Sequence, residues 1–544
     1  MRSLPQILLD ELHAVTRTEI QIAQNEGRRT KERLEQALCR LGFVKEDTIA
    51  QALGIQYQLP VITDIAPSEI DLAWLHELSS LEKASEALFL PLRENGQRRF
   101  AVANPTDCRL FDFIRSIEGH TRGVTLTTEK AIHEALETLL NPPSSVDLEK
   151  IIARGLREGA EGRAIEELVE HIMEEAIKRK ATDVHIEPTL ETTQVYLRID
   201  GVRQPMVSLP SALHEGIINV IKVRADIKPD QHFTPDDKKF IFSYRQRRDV
   251  DVRVSLLPSS YGPTIVNRIL DRMSSLITLE DLGYSSGQFE IISRLTKCPN
   301  GLILVTGPTG SGKTTTLYAL LSKIASPEKK TITVEDPIEY SIPRVTQCQV
   351  REDRDFGFAR ALRSIVRHDP DIIMVGEIRD KETARIAMEA SLTGHVVFST
   401  LHTNSAVDTI VRLMDMDVPS VFIASTLRAV IAQRLVRRLC DSCKKNAPLE
   451  QGVVERWGLT PAAAWEGRGC ESCAMTGYKG RTVIVEILVI DHDIAQMIYE
   501  KQPAAALRRS AIQKGFIPLE RDSIEKITNG VTDLKEVENV LGTI

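Results

Sequence analysis

Cysteine is scarce in this chain. Eight in 544 residues cannot staple a protein of this size, which excludes a disulfide scaffold and fits a reducing compartment. Aromatic residues make up only 5%, few for a protein that would stack single-stranded bases along a channel. Basic residues are not in excess: 69 Lys and Arg face 76 Asp and Glu, a net charge of −7. That balance does not point to a general nucleic-acid binder, although a locally positive channel remains open. Local basic runs such as Arg434, Arg437 and Arg438 read as interface or solvated-face residues. No run approaches the ~18 apolar residues of a transmembrane helix, so any membrane role is expected to be peripheral. The opening MRSLPQILLDELHAV has no unbroken apolar core and admits acids at Asp10 and Glu11, so it reads as helix rather than signal peptide.

What remains is ordinary globular material, 42% hydrophobic and 27% charged, long enough for two to four domains. Residues 1–140 alternate helical stretches such as KERLEQALCRLGFV and EKAIHEALETLL with the strand-like RRFAVAN. The two prolines and two serines of NPPSSVDLEK predict a linker over 141–160. Residues 161–280 read as a small α+β domain: the helix IEELVEHIMEEAIKRK precedes ATDVHIEP, QVYLRIDG, DVDVRVSLLP and TIVNRILDR, strands of period-two alternation. Residues 281–544 alternate strand and helix, which predicts a mostly parallel sheet in an α/β fold.

This last region holds the chemistry. Gly307-Pro308-Thr309-Gly310-Ser311-Gly312-Lys313-Thr314, followed by Thr315, matches G-x-x-x-x-G-K-[ST] directly after the apolar strand GLILVTG and before a helix. Its glycines let backbone N–H groups turn toward phosphate oxygens at a helix N-terminus. Lys313 is expected to reach the β and γ phosphates of ATP and Thr314 to hold magnesium. A second strand ending in an acid, Ile372 to Glu377, offers Glu377 as a metal-side or water-polarising carboxylate. A second acidic cluster, Glu335-Asp336-Pro337-Ile338-Glu339, follows the strand TITV, where a carboxylate can orient or deprotonate an attacking water. His395 and His402 bracket the strand Val396 to Leu401, too far apart for one metal. One of them is a candidate sensor of the γ-phosphate, and the bland alternative is a pair of satisfied sheet-edge residues.

Two cysteine pairs, Cys440 with Cys443 and Cys470 with Cys473, offer four soft ligands suited to structural zinc in an excursion over 440–473. A redox pair or inert thiols are the alternatives. Cys39, Cys108, Cys298 and Cys348 are scattered and read as small core or half-buried residues.

Together the phosphate loop, Glu335 to Glu339, PDIIMVGEIRD, TGHVVFSTLHTN and the four cysteines resemble the secretion ATPases of type II secretion and type IV pilus assembly, the GspE/PilB family. The resemblance implies a RecA-like P-loop ATPase domain, a small PAS-like α+β domain contributing to an intersubunit nucleotide site, and an N-terminal α/β adaptor-docking domain. It makes Thr333 to Tyr340 the aspartate box with Glu339 as general base, Glu377 the Walker B glutamate, and His395 with His402 the histidine box. It also implies homo-hexameric rings with Arg253 and Arg268 as candidate cross-subunit contacts, docked on an inner-membrane platform protein and an adaptor. The function it implies is magnesium-dependent ATP hydrolysis that assembles a type IV pilus or a type II secretion pseudopilus, from the cytoplasmic side of the inner membrane. The four-cysteine element favours extension or secretion over retraction.

Two departures stand out. Ala225 to Lys239 lacks the arginines that close relatives place in that segment, and Gly262-Pro263-Thr264 replaces their usual Gly-Glu. Some members bind cyclic di-GMP through paired R-L-G motifs, but only Arg40-Leu41-Gly42 is clear here, so adaptor docking is the favoured role of the N-terminal domain. A DNA-uptake or DNA-translocation motor, or an ATP-gated scaffold, is the competing function.

Overall fold

The computed structural model describes residues 2–542 except residue 31, parts of 64–87 and 133–144, and residues 95–96, 106–122, 160–161, 229–235, 245–247, 271–276 and 448–463. Cys108 and residues 229–235 of the arginine-poor segment therefore lie outside the description, as does part of the helix expected over EKAIHEALETLL. The chain divides into two compact units, Met1–Glu149 and Lys150–Ile544.

In the first unit the opening residues are helical, as their pattern predicts, with a single π turn over Ile7–Glu11. Helices Arg17–Thr30, Leu34–Arg40 and Glu46–Tyr57 follow. Strands β1 (Phe89–Glu94) and β2 (Gln97–Val102) pair antiparallel, and β3 (Val124–Leu126) adds parallel to β2. Trp74 packs on Phe100 with ring centroids 4.6 Å apart, and Phe89 meets the same ring edge-on, so these aromatics centre the unit's core.

A helix, Ser145–Glu158, occupies most of the stretch expected as a linker. The Pro and Ser that stop one element also serve as the start signal of the next, and the apolar Leu148, Ile151 and Ile152 behind them continue with helical spacing. The next helix, Arg163–Lys178, buries Ile165, Leu168, Val169, Ile172, Met173 and Ala176 on one face. Beside it stands a six-stranded antiparallel sheet of β4 (Asp183–Pro188), β5 (Thr192–Ile199), β6 (Val202–Pro210), β7 (Asp236–Tyr244), β8 (Arg248–Leu257) and β9 (Thr264–Leu270), in the order β6-β5-β4-β9-β8-β7. Along β5 the buried positions are Thr193, Val195 and Leu197, the period of a sheet with one covered face.

The remaining chain builds a seven-stranded sheet from β10 (Gly301–Thr306), β11 (Thr331–Glu335), β12 (Val345–Gln349), β13 (Ile372–Val375), β14 (Val396–Leu401), β15 (Leu427–Leu439) and β18 (Tyr478–Val489). Its order is β12-β11-β13-β14-β10-β15-β18, parallel throughout except for β18, which runs against β15. Every residue of β10, β11, β13 and β14 is buried, as a sheet covered on both faces requires. Leu302, Leu304, Val334 and Val375 pack into the core on one face, and Ile303, Val305, Met374 and Phe398 into the core on the other. The cysteine excursion leaves the end of β15, forms the short hairpin β16 (Lys444–Asn446) and β17 (Trp465–Gly467), and returns into β18. Among the described residues, no helix is long and apolar enough to cross a membrane.

This topology sets the site. Parallel strands end on one edge, so the segments after β10, β11, β13 and β14 converge there, where ligands of open α/β sheets bind.

Candidate functional site

The phosphate loop leaves β10 at Gly307 and ends in the helix Lys313–Ile324. Lys313 is 9% exposed, and its ammonium donates to the carbonyls of Gly307 at 2.9 Å and Pro308 at 3.1 Å. Burial lowers its pKa, with Arg434 adding to the effect and Glu377 opposing it. An ammonium resting on carbonyls of its own loop is placed to move onto a phosphate oxygen when one arrives. The buried Ser311 hydroxyl has no hydrogen-bond partner among the described residues, and it lies inside the loop. That orphaned donor fits an anionic guest.

Around the loop is a cavity of about 410 Å³, walled also by Asp336, Glu339, Glu377, His402 and Arg481. The acids are not equivalent. Glu335 is buried and saturated: the Tyr318 hydroxyl, the Thr333 hydroxyl at 2.5 Å and the Gln347 amide at 3.1 Å all donate to it. Tyr318 is pushed well above its ordinary pKa by burial and by the Glu335 charge, so it stays a donor. Its oxygen also accepts from the Glu339 N–H at 3.2 Å and so fixes the backbone that carries Glu339. The Glu339 carboxylate is left facing Arg253 at 3.6 Å, and Arg253 also donates to the Ile338 carbonyl at 3.1 Å. Glu377 sits between the Arg379 guanidinium and the His402 imidazole, whose Nε2 lies 3.4 Å away. Arg379 reaches Asp336 as well, at 3.8 Å.

The structure thus gathers Lys313, Thr314, Glu339, Glu377 and His402 in one cavity and brings Arg253 to its rim. It does not bring His395 there. His395 stands at the other end of β14, about 23 Å along the strand from His402, with Nδ1 bonded to the Ala390 carbonyl at 2.8 Å. Arg268 lies directly opposite Arg253 in the β8–β9 ladder but pairs with Asp183 at 3.0 Å.

The basic run read as interface or solvated-face residues is split: Arg434 is buried, Arg437 half-buried and Arg438 exposed. Arg434 is 8% exposed and donates to the carbonyls of Gln433 and Asn404 at 3.0 and 2.9 Å. Arg437 grips Glu536 through Nε at 2.9 Å and covers the Tyr478 ring. Sequence reasoning also missed Arg379, Arg481, Tyr318 and Gln433. The only signal for Arg379 was its place two residues after Glu377.

The four cysteine sulfurs lie within 4.8 Å of one another. Cys440 Sγ is 3.8 Å from Cys470 Sγ, Cys443 Sγ is 3.8 Å from Cys473 Sγ, and Cys470 and Cys473 are 3.7 Å apart. These separations are far beyond a disulfide bond. They match the edges, about 3.8 Å, of a tetrahedron with metal–sulfur bonds of ~2.3 Å. The N–H groups of Cys470 and Gly477 point at Cys473 Sγ at 3.2 and 3.3 Å, which favours thiolate there. The donor set and its geometry fit a tetrahedral metal ion.

Residues 158–539 match the family model described as "Type II/IV secretion system protein", and residues 56–145 match that of the MshEN domain. The chain belongs to the type II/IV secretion system protein family. Within that family, the type IV pilus assembly ATPase PilB of Thermus thermophilus is 37% identical over 94% of this chain, which spans 59% of that protein's length. The type II secretion system protein E of Aeromonas hydrophila is 44% identical over 69% of this chain and 75% of its own. The X-ray structure of the Yersinia pseudotuberculosis ATPase DotB shares the fold, with a TM-score of 0.53 at 22% identity, covering 69% of this chain and 93% of that one.

Proposed function

We propose that the chain is a magnesium-dependent ATPase that powers assembly of a type IV pilus or a type II secretion pseudopilus at the inner membrane. One observation carries this reading: Lys313, Glu339, Glu377 and His402 leave four neighbouring parallel strands and meet in a single cavity around a phosphate loop. The amides of Gly307 to Thr315 would cradle the phosphates, with Lys313 on the β and γ oxygens. Magnesium, held through Thr314, would supply neutralising charge between those oxygens. Glu339, half exposed and freed from all but Arg253, is placed to orient the attacking water and accept its proton. Glu377, steadied by Arg379 and His402, would act as the metal-side or water-polarising carboxylate. Zinc is the ion proposed for Cys440, Cys443, Cys470 and Cys473, closing the excursion without an open coordination position.

A six-subunit ring and docking to a membrane platform through an adaptor complete the proposal. Arg253 is favoured over Arg268 as the arginine that answers to nucleotide, because it already reaches Glu339. The N-terminal unit is proposed as the adaptor-docking domain, and cyclic di-GMP binding is the alternative role for its MshEN match. Similarity to a pilus assembly ATPase over 94% of the chain, against 69% for a type II secretion protein, favours pilus assembly.

The test is magnesium-dependent ATP hydrolysis by the purified chain, with its oligomeric mass, beside Lys313→Ala and Glu339→Gln. Hydrolysis by a hexameric species, lost in both variants, is expected. Turnover that survives Lys313→Ala would sink the assignment.

A further inference from the structure

We infer that Gln433, on β15, is a positioning residue that sets the peptide orientation of the phosphate loop; the inference rests on the nucleotide-binding reading above. β15 runs parallel to β10 with Ala432 opposite Thr306. One residue on, the loop leaves the sheet against Gln433: a Cβ at position 307 would stand 2.5 Å from the Gln433 carbonyl oxygen, so only glycine fits there.

The Gln433 side chain is fully buried, and both halves of its amide are used. Nε2 donates to the Ser311 carbonyl at 2.7 Å, and Oε1 accepts from the Thr316 hydroxyl at 2.9 Å. A carbonyl can only accept, so the amide has one orientation and Thr316 must donate. Thr316 is itself buried, and its hydroxyl lies 3.3 Å from that of Tyr284. One amide therefore ties the middle of the loop to the start of its helix from beneath.

The consequence for phosphate binding follows from the planarity of the peptide. In a trans peptide the C=O and the next N–H point to opposite sides. Holding the Ser311 carbonyl down on β15 turns the Gly312 N–H up, away from β15, as a donor for a phosphate oxygen. Glutamate at 433 could not donate to Ser311 and would add negative charge under the phosphates. Methionine would fill the space but leave a buried carbonyl and a buried hydroxyl without this partner. Either change frees the Ser311–Gly312 peptide to rotate.

The test is a titration of the full chain with a fluorescent magnesium-ADP analogue, alongside thermal melting and bound-metal content. Gln433→Met and Gln433→Glu are each expected to weaken nucleotide binding by about tenfold, the scale of one buried hydrogen bond left unmade, with KM for ATP rising more than kcat falls. Thr316→Val removes one of the two bonds and is expected to weaken binding about threefold, while Thr316→Ser, which keeps the hydroxyl, binds more tightly than Thr316→Val. Folded Gln433→Met that binds as the parent chain does would overturn the inference. If Gln433→Met does not fold, Thr316→Val and Thr316→Ser decide it, and equal binding by those two overturns it. A parent chain that binds no magnesium nucleotide overturns the functional reading, and this inference with it.

Discussion

The phosphate loop rests against β15 and the cysteine element leaves the end of the same strand, and the two are suited to hold guests by opposite means. In the proposed reading the loop works through backbone, a contiguous run of eight residues whose N–H groups would face the guest. The cysteine element works through side chains, bringing four thiols from two pairs separated by 26 residues into one tetrahedron. Backbone recognition is sensitive to which dihedral angles a residue can adopt. Side-chain ligation is sensitive to which atom a residue carries, and tolerates variation between the ligands.

That contrast can be broken by substitution. The largest effect is expected from Cys470→Ser. It should abolish stoichiometric zinc, measured by elemental analysis, and lower the melting temperature, because metal-binding free energy is folding free energy in such elements. Nucleotide affinity should move less than about threefold, since the loop is braced by Gln433 and not by the cysteines. Co-loss of both guests would mean that the two sites are one cooperative unit. Next is Gly310→Ala. Gly310 has φ +80° and open space where a Cβ would go, so the change tests conformation without a clash. The ~1–2 kcal/mol cost of a left-handed alanine should appear as roughly tenfold weaker magnesium-ADP binding, with zinc content unchanged. Smaller still is Thr309→Ala, which removes a side chain and keeps the amide. A shift under about twofold in nucleotide affinity is expected, and a large loss would show that the loop reads its guest through Thr309 as well.

The smallest effect lies outside both sites. Burial lowers the pKa of His214 in the α+β region, while its bond to the Pro263 carbonyl opposes the shift. A histidine depressed in the folded state contributes stability that is complete above its unfolded value of about 6.5 and is lost as pH falls toward the folded value. Urea midpoints at pH 7.5 and 5.5 should therefore differ less in His214→Gln than in the parent chain, and an unchanged difference would remove His214 from the acid response.

Legibility in the sequence divides along similar lines. The phosphate loop, Glu377 and the four cysteines are contiguous or regularly spaced motifs, and the structure places them where their spacing implied. The all-buried strands around Ile303, Val334 and Ile373 were legible because a doubly covered sheet needs unbroken apolar runs. Gln433 was not legible, because its meaning depends on a loop more than a hundred residues earlier coming to rest above it. Arg434 was misread for the same reason: its charge is satisfied by carbonyls of its neighbour and of Asn404, which only the fold supplies. That His395 and His402 bracket one strand was legible, but which of them shares an end with the phosphate loop depends on the direction in which β14 runs beside β10. The helix Ser145–Glu158 was hidden behind residues that signal both an end and a beginning.

β15 spans 13 residues, about 40 Å of extended chain, paired with β10 over Leu427–Ala432 and with β18 over Ala429–Leu439. We expect a strand held by this continuous run of pairing to resist stretching and to act as a rail. In the proposed motor, force that nucleotide exerts on the loop would pass along β15 and its partner β18 toward the cysteine element. The compliant joints would then lie between the α+β region and this body, at contacts such as Arg253 with Glu339 and Asp200 with the Gly480 N–H. Stroke length would be governed by those joints, and stiffness by the rail.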